Sequence, residues 1–187
     1  ALTGVGVCMP IIMIVSAFAA LVSSGGAPRA SIYMGRQDND SAEQILGNCF
    51  SLQIVVSLFL TVILLIFGKD LLLAFGASEN TIGYATDYMR IYAFGTLFVQ
   101  LTLGMNAFVT AQGFTKISMF SVLIGAICNI VLDPVFIFGF HMGVKGAALA
   151  TVLSQAISTI WVVLFLCGRK TQIRLRKACL LLKAKVI

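Results

Sequence analysis

Apolar runs of about 20 residues recur five times along the chain, separated by polar stretches. At 1.5 Å per residue each is long enough to cross the roughly 30 Å hydrocarbon layer of a bilayer. They predict five transmembrane helices, over about Val5–Ala27, Ile45–Phe67, Ile91–Ala111, Ile117–Phe140 and Ala147–Cys167. The link Arg29–Glu43 contains Gly35-Arg36-Gln37-Asp38-Asn39-Asp40, where Asp40 or Ser41 is the expected helix cap. Gly68–Arg90 reads as an interfacial connection, with an amphipathic turn at Leu71–Phe75 and a loop at Gly76–Glu79. A short link at Phe114-Thr115-Lys116 follows Gly113, and the turn Gly139–Gly146 leads into the fifth run.

Polar residues inside the runs are not scattered. Gln53, Ser57 and Thr61 recur at intervals of four, as do Thr96, Gln100 and Gly104 on the third run and Ser121, Gly125, Asn129 and Asp133 on the fourth. Residues four apart share a helix face, so each set forms a column. On the fifth run Thr151 and Gln155 share one face, and Ala150, Ser154 and Ser158 form another. Small and polar columns commonly join membrane helices to one another. Stripes that meet a carboxylate suggest more, a polar chamber between helices, with Gln155, Gln100 and Ser121 as candidate lining.

Asp133 is the residue that the lipid environment disfavours most. A charged side chain at the centre of a membrane helix costs roughly 2.5–3.5 kcal/mol on insertion scales, so such residues usually face a cavity and mark a transport path. Asn129 lies one turn earlier on the same face, where its amide can share a proton or a cation with the carboxylate. Pro134 cannot donate to the carbonyl of Ile130, which predicts a kink and an available oxygen beside Asp133.

Composition agrees with the pattern: 59% of the 187 residues are hydrophobic, 11% are charged, and the mean hydropathy is +1.02. The fold class expected is an all-α polytopic membrane bundle. The chain opens with Ala1 inside an apolar run and closes in a basic one, as a fragment would. Arg29, Arg36, Lys116 and the basic residues from Arg169 to Lys185 fall on one side of the spans, and Lys69, Arg90 and Lys145 on the other. Basic residues accumulate on the cytoplasmic side, so the chain starts outside and ends inside. The segment after Gly168, basic with a Leu180-Leu181-Leu182 core, suits an amphipathic helix on an anionic leaflet.

Other chemistries find little support. The five cysteines show no CxxC spacing and act as small hydrophobes, and His141 has no adjoining ligand for a metal. An intramembrane aspartyl protease needs two carboxylates where the spans offer only Asp133, and no Gly-rich loop followed by Lys-Ser or Lys-Thr offers a nucleotide site. No enzyme is expected. Nucleic acid is not an expected partner either, because no aromatic-basic module accompanies the positive charge.

Five stretches, taken in order, resemble one family: Gly35-Arg36 through Ala42-Glu43-Gln44-Ile45-Leu46-Gly47-Asn48; Leu73-Ala74-Phe75-Gly76-Ala77-Ser78; Asn106-Ala107-Phe108-Val109-Thr110-Ala111-Gln112-Gly113; Asn129-Ile130-Val131-Leu132-Asp133-Pro134; and Met142-Gly143-Val144-Lys145-Gly146-Ala147-Ala148-Leu149-Ala150-Thr151. Together they resemble the multidrug and toxic compound extrusion (MATE) family of bacterial exporters, across nearly the whole chain. That family has twelve membrane helices in two six-helix lobes. The resemblance implies that residues 1–168 are helices two to six of the amino-terminal lobe and 169–187 the start of a cytoplasmic linker between lobes. It implies that Asp133, Asn129 and Thr151 line a cavity where a proton or sodium ion, with no other cofactor, is coupled to export of small cationic, often aromatic, compounds. The remaining helices of the transporter and membrane lipids are the implied partners, and the bacterial inner membrane the implied location. A lipid-linked oligosaccharide flippase of the same superfamily and a non-transporting scaffold are the alternatives.

Overall fold

The computed structural model describes residues 2–168 and 171–175. Five α-helices follow one another: α1 (Leu2–Gly35), α2 (Asn39–Ala74), α3 (Ile82–Ala111), α4 (Thr115–Pro134) and α5 (Val144–Cys167), with a π-helical turn (Val135–Gly139) continuing α4. All five are long and apolar enough to cross a membrane. The fold is an all-helical membrane bundle, as expected.

Turn chemistry sets the hairpins. After α2 and α3, Gly76 (φ 95°) and Gly113 (φ 85°) take the left-handed conformation. The next amide in each case reaches back five residues, Ala77 to the Leu72 carbonyl at 2.9 Å and Phe114 to that of Val109 at 3.2 Å. After α1 the same geometry is taken by Gln37 (φ 61°), with the Asp38 amide on the Tyr33 carbonyl at 3.0 Å. The cap of α2 is Asp38 rather than Asp40 or Ser41, because the helix begins at Asn39; the Asp38 carboxylate accepts from the Ser41 amide at 3.1 Å.

The helices run further than the apolar runs predict. The expected interfacial connection Gly68–Arg90 is helical at both ends, since α2 continues to Ala74 and α3 starts at Ile82. A 36-residue helix is about 54 Å long and outreaches the hydrocarbon by many residues, so Lys69, Asp70, Asp87 and Arg90 sit on helix rather than loop. Pro134 does not break α4 either. The Val135 amide turns to the Leu132 carbonyl, and the chain continues as a π-turn in which the Phe140 amide reaches Val135 at 3.0 Å. The disruption expected at proline is absorbed by widening the helix just past Asp133.

α3 is the central helix, packed against all four others. Fifteen of its residues are buried, against two of α4. The core divides into two apolar clusters. One, toward the predicted outer end, joins Cys8, Ile11, Leu64, Met89 and Tyr92; the other joins Ala30, Leu46, Met105, Phe108 and Leu166. Between them lies a polar layer. The side-chain amides of Gln53 and Gln100 donate to carbonyls one turn apart on α1, Ala19 at 3.5 Å and Val15 at 2.8 Å. Gln53 fills the notch left by Gly104, where even a Cβ atom would overlap its carboxamide.

At the basic end, residues 171–175 form a strap rather than the start of an amphipathic helix; the rest of that expected helix lies outside the described residues. Ile173 is fully buried in the second cluster. Its amide donates to the Gln112 carboxamide at 3.2 Å, and the Arg174 amide to the buried Glu43 carboxylate at 3.0 Å. The Leu175 amide returns to the Leu166 carbonyl at 3.1 Å.

Candidate functional site

The small and polar column of α4 faces α5. Ser121 and Gly125 are the buried residues of α4, and a Cβ on Gly125 would lie 2.6 Å from the Ser158 hydroxyl oxygen. Ser158 uses that approach to donate to the Ser121 carbonyl at 2.7 Å. One turn further, the Asn129 amide lies 3.5 Å from the Thr151 hydroxyl, a long contact, and Thr151 itself donates to the Ala147 carbonyl at 3.0 Å. Asp133 follows on the next turn. It is half-buried, and its Oδ1 is enclosed without a hydrogen-bond partner.

Beside this column a cleft of about 260 Å³ opens between α3, α4 and α5. Thr102, Gly125, Asn129, Thr151, Ser154, Gln155 and Ser158 are among the residues that line it. Gln155 brings a second buried oxygen, Oε1, that has no partner. Thr102 ties α3 to α5 through the Thr159 hydroxyl at 2.7 Å and the Gln155 carbonyl at 3.2 Å. The cleft thus holds hydroxyl and carboxamide groups on low-dielectric walls, with a carboxylate one turn beyond its edge.

Of the residues expected from the sequence, Asn129, Thr151 and Gln155 line this cleft, and Asp133 continues the same helix face. Ser121 and Gln100 lie elsewhere. Ser121 is fully buried and donates to the Asn106 carboxamide at 3.1 Å and the Ser118 carbonyl at 2.8 Å, so it joins α3 to α4. Gln100 turns to α1 and belongs to the polar layer.

Tyr88 is the residue that sequence reasoning missed. It is buried on α3, stacks with Tyr92 at 6.2 Å, comes within reach of the Thr151 side chain and lies close enough to Asp133 to interact electrostatically. It fell within the expected interfacial connection Gly68–Arg90, while the helix that carries it begins six residues earlier, at Ile82. Thr102 carried no signal, since it falls outside the column of Thr96, Gln100 and Gly104.

Among the described residues no three His, Cys, Asp or Glu side chains converge as a metal site would require. The donors present are one carboxylate with amide and hydroxyl oxygens, a set suited to hard cations or protons.

The MatE family model matches residues 1–135. The chain is 32% identical over 164 residues to the multidrug export protein MepA of Staphylococcus haemolyticus, covering 88% of this chain and 36% of that protein. It is 28% identical, over the same shares, to MepA of Staphylococcus aureus. Among solved structures, the inward-facing conformation of a multidrug resistance MATE family transporter superposes with a TM-score of 0.92 at 24% identity, over 98% of this chain and 42% of that one. The outward-facing conformation of a multidrug resistance MATE family transporter gives 0.91 at 25% identity, over 99% and 41%. The chain therefore spans about two fifths of the length of the proteins it matches. Its helices, their order and their family match make it a multi-pass plasma-membrane protein of the MatE, multidrug and toxic compound extrusion, family.

Proposed function

We propose that this chain forms helices two to six of the amino-terminal lobe of a cation-coupled multidrug exporter, with residues 1–168 in the lobe and 169–187 beginning the linker to a second lobe. Asp133, Asn129 and Thr151 are the coupling residues and Gln155 lines the adjoining cavity. The observation that carries the reading is the partnerless Asp133 Oδ1, one turn beyond the Asn129–Thr151 contact. A buried acceptor without a partner costs about 1–3 kcal/mol, more when charged, and a proton or a sodium ion would remove that cost. Coupling requires the occupant to be held differently in the inward- and outward-facing states, since equal affinity shifts no equilibrium. The cargo is a small, drug-like, cationic or aromatic compound, in keeping with the export function named for the relatives.

Asp133→Asn keeps the size and much of the hydrogen bonding of the side chain while removing its charge. In proteoliposomes containing the full-length transporter, efflux driven by an imposed proton or sodium gradient collapses in this variant, and the gradient that drives the unmutated protein identifies the ion. Unchanged efflux with the same gradient dependence would make Asp133 structural.

A further inference from the structure

The polar layer between the two apolar clusters holds acceptors that the Asn129–Thr151 cleft does not use. Gln53 on α2 and Gln100 on α3 are both fully buried, and each has a carboxamide oxygen, Oε1, that meets no donor. We propose that one water molecule is bound between these two oxygens and donates a hydrogen to each. It joins α2 to α3 at the level where each is already bonded to α1.

The two amide nitrogens are turned to the Ala19 and Val15 carbonyls, which lie one turn, about 5.4 Å, apart on α1. Two hydrogen bonds of about 2.8 Å let a single water span up to about 5.6 Å between acceptors. Gln53 reaches this level because Gly104, one turn beyond Gln100, leaves its carboxamide the place of a side chain. Neither buried hydroxyl of the layer serves instead. Ser57, one turn from Gln53, gives its hydrogen to the Ile54 carbonyl at 2.8 Å, and Thr96, one turn from Gln100, gives its own to the Tyr92 carbonyl at 3.4 Å. Rotating either carboxamide to pair it with the other would set its oxygen against an α1 carbonyl, acceptor against acceptor.

The layer therefore presents two enclosed oxygens without a hydrogen for either, a demand that a cation or a water can meet. Charge decides between them. α1 contains no acidic residue, and those of α2 and α3 stand at the helix ends: Asp40, Glu43, Asp70 and Asp87. A cation between Gln53 and Gln100 would lie in low-dielectric surroundings without a counter-charge, the costliest kind of burial. A water is neutral, supplies both hydrogens and costs the ordering of one molecule, and buried waters ordinarily bridge polar groups in this way.

The test is a crystal structure of the full-length transporter at a resolution that shows ordered water, from crystals grown in sodium and in rubidium. One density peak lies about 3 Å or less from both Oε1 atoms and gives no anomalous signal in rubidium. Gln53→Met and Gln100→Met keep the side-chain volume and remove one acceptor each. The peak vanishes in both single variants while the three helices stay in place, because one oxygen alone does not hold the water. A rubidium signal at the peak would make the occupant a cation and overturn the proposal. So would the absence of a peak between the two oxygens, with the carboxamides bonded directly to each other or not. A peak that survives either substitution unchanged would overturn it as well, since it would not depend on both oxygens.

Discussion

The carboxamide of Asn129 and the hydroxyl of Thr151, 3.5 Å apart, link α4 to α5 one helical turn before Asp133. If the two act as one unit in holding the occupant of Asp133, their loss is not additive. Asn129→Leu or Thr151→Val alone lowers gradient-driven efflux about two- to tenfold, the scale of a hydrogen bond worth about 0.5–1.5 kcal/mol. The double variant falls little further. Efflux rates multiplying across the two substitutions would show that the residues act independently.

The polar layer makes a prediction about stability. Gly104→Val forces a side chain into the space that the Gln53 carboxamide occupies and lowers unfolding stability by about 1–3 kcal/mol, as overpacking does. Gln53→Met, which keeps the volume and deletes a buried carboxamide oxygen that lacks a partner, is close to neutral. Thermal unfolding of the purified variants decides; a Met substitution as damaging as the Val one would mean that the Gln53 hydrogen bond matters more than its shape.

The strap depends on Ile173. Ile173→Ala empties a fully buried site in the second apolar cluster and costs about 2–5 kcal/mol, read as a fall in the unfolding midpoint. An unchanged midpoint would show that the strap is not seated on the lobe. Glu43→Gln retains an acceptor for the Arg174 amide and has a much smaller effect.

Asp38 gives the hairpin between α1 and α2 a pH dependence. Its hydrogen bonds, from the Ser41 side chain first and the Ser41 amide second, hold its carboxyl below the ordinary value of 3.8. The folded value is the lower one, so the cap contributes in full above the unfolded value and is lost as pH falls through the folded one. Amide exchange at the start of α2, referenced to Asp38→Asn, accelerates only in that acidic window. Equal exchange in the two proteins at every pH would remove the cap from the account.

Periodicity made the bundle legible, because a column repeating every four residues can face only one way. The Ser121-Gly125-Asn129-Asp133 column was visible before its partner helix was known, and it does meet α5. The same rule cannot say which neighbour a column meets, which is why Gln100 looked like cavity lining but turned to α1. The loop at Gly76–Glu79 misled at the helix ends, because the expected connection was drawn too wide around it. Asp87 and Arg90 stand on α3, which outruns the hydrocarbon, and the expected connection concealed Tyr88. The strap was illegible for a different reason: its two anchors on the lobe, Glu43 and Gln112, accept from backbone amides, which every residue except proline carries.

Those backbone anchors have a mechanical consequence. A tug on the chain at Leu175 does not fall on the last turn of α5 alone. The Arg174 amide passes part of it to α2 through Glu43, and the Ile173 amide passes part to the end of α3 through Gln112. The load is shared by three helices, one of them the helix against which all the others pack. A bundle harnessed in this way turns as a single lever when the chain is pulled at Leu175, instead of shedding its last helix.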